Sequence, residues 1–171
     1  MAYFEPAFDA MIRNEGGYVL HAVANDRGGM TFAGIARKFH SSWDGWAIID
    51  SVGPDDARLH AMVKRFYQAN FWDRINGQEI DSDVVAGSLF DFAVNAGNAT
   101  AIKLAQLSVG VNADGWIGPQ TLSAINSFDV DLFVARYSLA KVARYAAIVN
   151  RDRSQGKFLL GWINRTLKGA Q

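Results

Sequence analysis

The sequence contains no cysteine. Disulfides, a thiolate nucleophile and a cysteine-based zinc site are therefore excluded. It also lacks any excess of charge, because seventeen Lys and Arg residues balance seventeen Asp and Glu residues. No global field would draw such a chain to nucleic acid or to an anionic membrane. Long hydrophobic runs are missing too. The most apolar stretch, Val84 to Val94 (VVAGSLFDFAV), is too short to span a bilayer and carries Asp91 in its middle. The opening MAYFEPAFDAMIRNEGGY has no charged start, apolar run and small-residue cleavage site, so the expectation is synthesis in the cytoplasm without a signal peptide or membrane anchor.

What is present is an ordinary globular composition over 171 residues, half of them apolar and a fifth charged. That suits one domain, or one domain with a small appendage. Helical periodicity dominates. Phe4, Phe8, Met11 and Ile12 mark one face of a first helix running to about Glu15. In GPDDARLHAMVKRFYQANFW, Pro54 is placed for a first helical turn with Asp55 and Asp56 at the positive end of the dipole. AGSLFDFAVNAG and ATAIKLAQLSVG read as two helices broken at Gly97–Asn98. Asp129 is placed to cap a long helix reaching about Asn150, apolar enough on most faces to be central, and QGKFLLGWINRTL closes the chain as a short helix. Strand signal is scarce: only GYVLHAV and GMTFAG can pair, as one hairpin joined by ANDRGG. The fold class read from these patterns is mainly α with one small β-hairpin in the N-terminal lobe.

The stretch NEGGY raises the functional question. Gly16 and Gly17 end the first helix, which leaves Glu15 in its last turn. The dipole is already negative there, so a carboxylate is misplaced by about 0.3–1 kcal/mol. A solvated helix end, with Arg13 or Arg27 as ion-pair partner, is one reading. The other is catalytic, because an acid that holds its proton at the mouth of a cleft is what general acid catalysis requires. Asp26 at a glycine-flanked turn and the nearby hydroxyl of Thr31 favour the second. One carboxyl at a helix end, another on a hairpin and a hydroxyl form a set suited to glycoside hydrolysis by inversion.

EGGY followed by DRGGMTFAGIA (Asp26 to Ala36) resembles the N-terminal signature of glycoside hydrolase family 108, the N-acetylmuramidases of phage endolysins and related bacterial proteins. LFDFAVNAGNATAIKLAQ, VNADGWIGPQTLSAI and KFLLGWINR are similar to the peptidoglycan-binding region that accompanies that family. The likeness covers nearly the whole chain. It implies a lysozyme-like fold, with a catalytic lobe over residues 1–85 and a helical, peptidoglycan-binding-like lobe over 86–171, packed as one unit. It further implies Glu15 as general acid, Asp26 as general base or electrostatic partner, and Thr31 as the residue that positions water. The stretch between Glu15 and Asp26 is longer than the family's usual spacing by about two residues, which a hairpin can absorb without changing which way its strands face.

Tyr18, His21, Asp91, Asn95 and Trp116 are the candidate substrate-binding residues. Asp91 and Asn95 lie four apart on one helix face. They can hydrogen-bond a glycan, or Asp91 can satisfy a buried polar group of the protein itself. Trp116, in DGWIGPQT, is the tryptophan best placed for exposure and for stacking on a sugar, while the loop also reads as a plain helix connector. His21 is expected near the cleft, and His40 and His60 at the surface. No two histidines have ligand spacing on one helix, so no metal or other cofactor is implied. DRGG lacks the Lys-Ser/Thr of a phosphate loop. The resemblance makes peptidoglycan glycan strands the partner, reached through a holin, another export route or lysis. The rival readings are a lytic transglycosylase, which needs no base at Asp26, and a non-catalytic peptidoglycan-binding or secretion-accessory protein.

Overall fold

The structure is a computed structural model that describes residues 1–22 and 29–169. Helix α1 (Phe4–Asn14) buries Phe4, Phe8, Met11 and Ile12, the face its spacing marks. It ends as its glycines require: Gly16 and Gly17 take φ of +88° and +82°, and the Gly17 amide donates back to the Ile12 carbonyl at 2.9 Å. The chain then enters an antiparallel sheet of three short strands in sequence order, β1 (Leu20–Ala22), β2 (Met30–Phe32) and β3 (Ile35–Ala36). In its register Leu20 lies opposite Phe32, and His21 opposite Thr31. Leu20 and Phe32 face the core, so His21 and Thr31 share the other face.

The sequence predicts one hairpin and the structure adds a second. Its turn is Ala33–Gly34, with φ of +48° and +80°. A two-residue turn with both residues left-handed is the type that matches strand twist. It was illegible because alanine stands where Asn or Asp normally announces such a turn.

Helices α2 (Gly45–Ser51) and α3 (Arg58–Tyr67) follow, then a π-helical segment over Gln68–Trp72 and 3-10 turns at Asp73–Ile75 and Gly77–Glu79. The helix predicted from Pro54 begins later, at Arg58. Asp56 accepts from the Arg58 amide at 2.9 Å, and its carboxylate also engages the Arg58 guanidinium. That local bonding competes with helical geometry and delays the start. Helices α4 (Asp83–Ala96), α5 (Asn98–Val109), α6 (Pro119–Asn126), α7 (Val130–Arg151) and α8 (Gly156–Lys168) complete the chain. Asp129 caps α7 as expected, accepting from the Leu132 amide at 2.8 Å. One core cluster runs from Phe4 through Trp72 and Phe90 to Tyr137 and Tyr145. The boundary expected at residue 85 falls inside α4, which packs on both α1 and α5. Among the described residues, no helix is long and apolar enough to cross a membrane.

The DGWIGPQT loop is held by one buried side chain. Gln106 donates from Nε2 to the Asp114 carboxylate at 2.8 Å, the Trp116 carbonyl at 3.0 Å and the Thr121 hydroxyl at 3.0 Å, while its Oε1 accepts from the Gly115 amide at 2.9 Å. The hydrogen-bond donation of Gln106, with the Trp116 amide beside it, also holds the Asp114 carboxyl below its ordinary range.

Helix α7 departs from expectation. It buries a single stripe, Phe133, Tyr137, Lys141 and Tyr145, and exposes Leu132 and Leu139. Lys141 takes the third place in that stripe and is 5% exposed. Its ammonium lies 4.4 Å from the ring centroid of Tyr137 and 5.2 Å from that of Phe92, with one hydrogen bond, to the Ser88 hydroxyl at 3.1 Å. Burial pushes this lysine down to about 8, against the opposing pull of the Asp91 charge.

Two measurements follow from these buried polar groups. Replacing Gln106 with Leu leaves several loop groups without partners, and urea unfolding should register a loss of roughly 2–4 kcal/mol. Lys141 is protonated below about pH 8 in both folded and unfolded chains. Between that value and its ordinary 10.5, only the unfolded chain holds the proton, so the stability of the wild type should rise with pH across this window. Relative to Lys141→Met, the gain should be on the order of 2–3 kcal/mol between pH 7.5 and 10.5.

Candidate active site

Glu15 stands at the C-terminal cap of α1, where the chain leaves the helix for the sheet. Its carboxyl is partly buried, and among the described residues its partner is not Arg13; Arg27, the other candidate, lies outside them. Arg165, on α8 and 150 residues further on, donates from one terminal nitrogen to Glu15 Oε1 at 3.1 Å. The same guanidinium donates to both oxygens of Asp91 on α4, at 3.2 Å and 3.0 Å. Three helices thus meet at one cation. Its pairing with two carboxylates outweighs burial and raises Arg165 above its ordinary value, which keeps the guanidinium charged throughout the accessible pH range.

The second oxygen of Glu15 faces the β2–β3 turn. A Cβ placed on Gly34 would lie 3.2 Å from Glu15 Oε2 and would overlap the Tyr67 hydroxyl. Tyr67 itself is buried at the end of α3 and donates to the Ala33 carbonyl at 2.8 Å. Burial, aided by the Glu15 charge, raises its phenol well above 10, so it remains a neutral donor that locks the turn. Gly34 is therefore glycine for two reasons: a left-handed backbone, and the close approach of the turn to Glu15.

Of the other residues singled out from the sequence, Asp26 lies outside the described residues. Thr31 is on β2 beside His21, and the described hydrogen bonds do not join it to Glu15. Tyr18 stacks on His60 with ring centroids 3.8 Å apart, so one face of its ring is already covered. His40, expected at the surface, is partly buried with its ring edge-on to Phe66, and burial lowers its pKa. Asp91 is committed to Arg165, the protein-satisfying alternative for this residue. Asn95 is exposed, and its amide donates to the Asp91 backbone carbonyl at 2.6 Å. Trp116 is 74% exposed at the tip of the loop that Gln106 anchors, and the described hydrogen bonds do not join that loop to Glu15. Among the described residues, no three His, Asp or Glu side chains gather as metal ligands.

Sequence reasoning missed Arg165, Tyr67, Gly34 and Lys141. Arg165 left one trace: it sits three residues after Trp162 and beside the buried Thr166, on the inward side of an amphipathic helix. A cation there must find an anion. Its partners on α1 and α4 could not be known before the fold brought the helices together.

A cavity of about 470 Å³ opens beside α1, lined by residues of α1, α4, α7 and α8. Asn14, Asp91 and Arg165 line its end nearest Glu15.

Comparison with known proteins agrees with this architecture. Residues 8–97 match the model of the family described as glycosyl hydrolase 108, and residues 100–167 match a predicted peptidoglycan domain. Among solved structures, that of SagA from Brucella abortus is similar over 98% of this chain and 95% of its own, at 26% identity and a TM-score of 0.69. No curated protein matches significantly. With the first match covering more than half of the chain and ending where α4 ends, the protein belongs to the glycosyl hydrolase 108 family and is a glycoside hydrolase joined to a predicted peptidoglycan-binding region.

Proposed function

We propose that the protein is an N-acetylmuramidase, hydrolysing the β-1,4 bond between N-acetylmuramic acid and N-acetylglucosamine in peptidoglycan, with Glu15 as general acid. The observation that carries this reading is the carboxyl of Glu15 fixed between the sheet and the helical lobe, one oxygen held by Arg165 and the other turned to the β2–β3 turn. Family membership supplies the reaction class, and the predicted peptidoglycan region supplies the substrate class.

The pairing decides how the acid works. Arg165 donates to Oε1, so the proton delivered to the leaving glycosidic oxygen is carried by Oε2. One guanidinium between two carboxylates is neutral overall when Glu15 holds that proton. After delivery, the same guanidinium faces the new carboxylate, and Asp91 keeps it oriented through the bidentate bond. Asp26 then serves as general base or electrostatic partner for water on the opposite face of the sugar, with Thr31 positioning that water. The substrate lies outside the cytoplasmic membrane, so the enzyme reaches it through a holin, another export route or lysis.

Digestion of purified sacculi by wild type and Glu15→Gln, with products resolved by mass spectrometry, tests this reading. Reducing muramic-acid ends are expected from wild type, with a loss of about 1000-fold or more in the variant, whose amide oxygen still accepts from Arg165 while Asp91 keeps its ion pair, so that the fold is retained. Full activity in Glu15→Gln overturns the assignment, and anhydro-muramic products would make the enzyme a transglycosylase. Asp26→Asn should lower kcat more than it raises KM; a loss confined to KM would reassign Asp26 to glycan contact. Gly34→Ala should lose at least about 2 kcal/mol of stability and tenfold or more in kcat, because the added methyl displaces the Tyr67 hydroxyl and crowds Glu15.

A further inference from the structure

The cavity beside α1 is a groove whose lining combines apolar side chains with cations. Pro6, Ala7, Ala10 and Phe92 form part of its walls. Gly87 keeps it open: a Cβ there would meet only the Ala7 methyl, at 4.0 Å. Four cations line it, Arg13, Lys141, Arg165 and Lys168, against two acids, Asp83 and Asp91. Asp91 is spent on Arg165, and Asp83 accepts from the Tyr3 amide at 2.7 Å. The described ion pairs engage none of Arg13, Lys141 and Lys168. Lys141 is the telling one, since its ammonium carries three donors and meets a single acceptor, Ser88. An ammonium buried at the floor of a groove, with donors left over, is complementary to a carboxylate.

The groove also has a direction. It runs from Tyr3 and Asp83 at one end to Asn14, Asp91 and Arg165 at the other. Eleven helical residues of α1 make that about 17 Å, and a peptide of four or five extended residues spans about 13–17 Å. The end with Arg165 adjoins the carboxyl of Glu15, where on the muramidase reading the glycosidic bond of muramic acid is cleaved.

We propose that this groove binds the acidic peptide branch carried by muramic acid, its first residue near Asn14 and its free carboxylates on Lys141, Arg13 and Lys168. The proposal rests on the muramidase reading above. It makes the helical lobe read the peptide while Glu15 acts on the glycan, so the enzyme distinguishes peptide-bearing strands from bare ones. The lysine that burial disfavours in the core has a use as the floor of that site.

The test needs no hydrolysis and so separates failure of this proposal from failure of the enzymatic one. The N-acetylated tetrapeptide L-Ala-γ-D-Glu-meso-diaminopimelyl-D-Ala is titrated into full-length protein, followed by amide chemical shifts. Saturable shifts are expected at Gly87, Ser88 and Gly169, on the groove wall, with affinity at least tenfold weaker for the same peptide with every carboxylate amidated. Lys141→Met and the exposed-site variant Arg13→Ala should each weaken binding fivefold or more, and Gly87→Leu, which fills the groove, should abolish it. Absence of binding overturns the proposal, as does equal binding of the amidated peptide, shifts confined to the Trp116 loop, or undiminished binding by Gly87→Leu.

Discussion

The Arg165 guanidinium is the interaction on which the rest of the structure depends. It joins the first helix to the last and to the central α4, and it does so through charged groups that are only partly shielded from water. A partly buried cation without its anions is costly, so the three helices are fixed in a mutual arrangement that apolar packing alone would leave open to sliding. The bidentate bond to Asp91 sets the plane of the guanidinium, and that plane sets where Glu15 Oε1 rests. Glu15 thereby gains a fixed position at a helix end, where its own backbone offers only a repulsive dipole.

A second constraint meets the carboxyl from the opposite side. Tyr67 pins the Ala33 carbonyl, Gly34 has no side chain, and the β2–β3 turn comes within contact of Glu15. The helical lobe therefore holds one oxygen and the sheet lobe faces the other. Placement of the Glu15 carboxyl between helices and sheet follows from this opposition. The family match ends with α4, and the match to the predicted peptidoglycan domain runs from α5 into α8.

Much of this was legible in the sequence, and the remainder was hidden for identifiable reasons. The apolar spacing of Phe4, Phe8, Met11 and Ile12 marked α1, Asp129 marked the start of α7, and the glycines after Glu15 marked where the first helix stops. These are local signals, and local physics decides them. The turn at Ala33–Gly34 was invisible because alanine was driven left-handed by its surroundings, not by its own preference. The late start of α3 came from Asp56 bonding to its neighbour. For the candidate site, Glu15 drew attention because it sat at the wrong end of a dipole, whereas its partners are set by long-range packing that no spacing rule contains. Lys141 was concealed in plain view, occupying the third place of a four-residue periodicity otherwise filled by aromatic rings. The role of Asp26 rests on sequence likeness alone.

The chain order of the site has a consequence in time. Glu15 is synthesised 150 residues before Arg165. While the sheet and the middle helices are being made, the carboxyl therefore has no guanidinium to fix it, and α4 carries an Asp91 without its counter-ion. The contact that fixes the Glu15 carboxyl thus closes only when α8 docks.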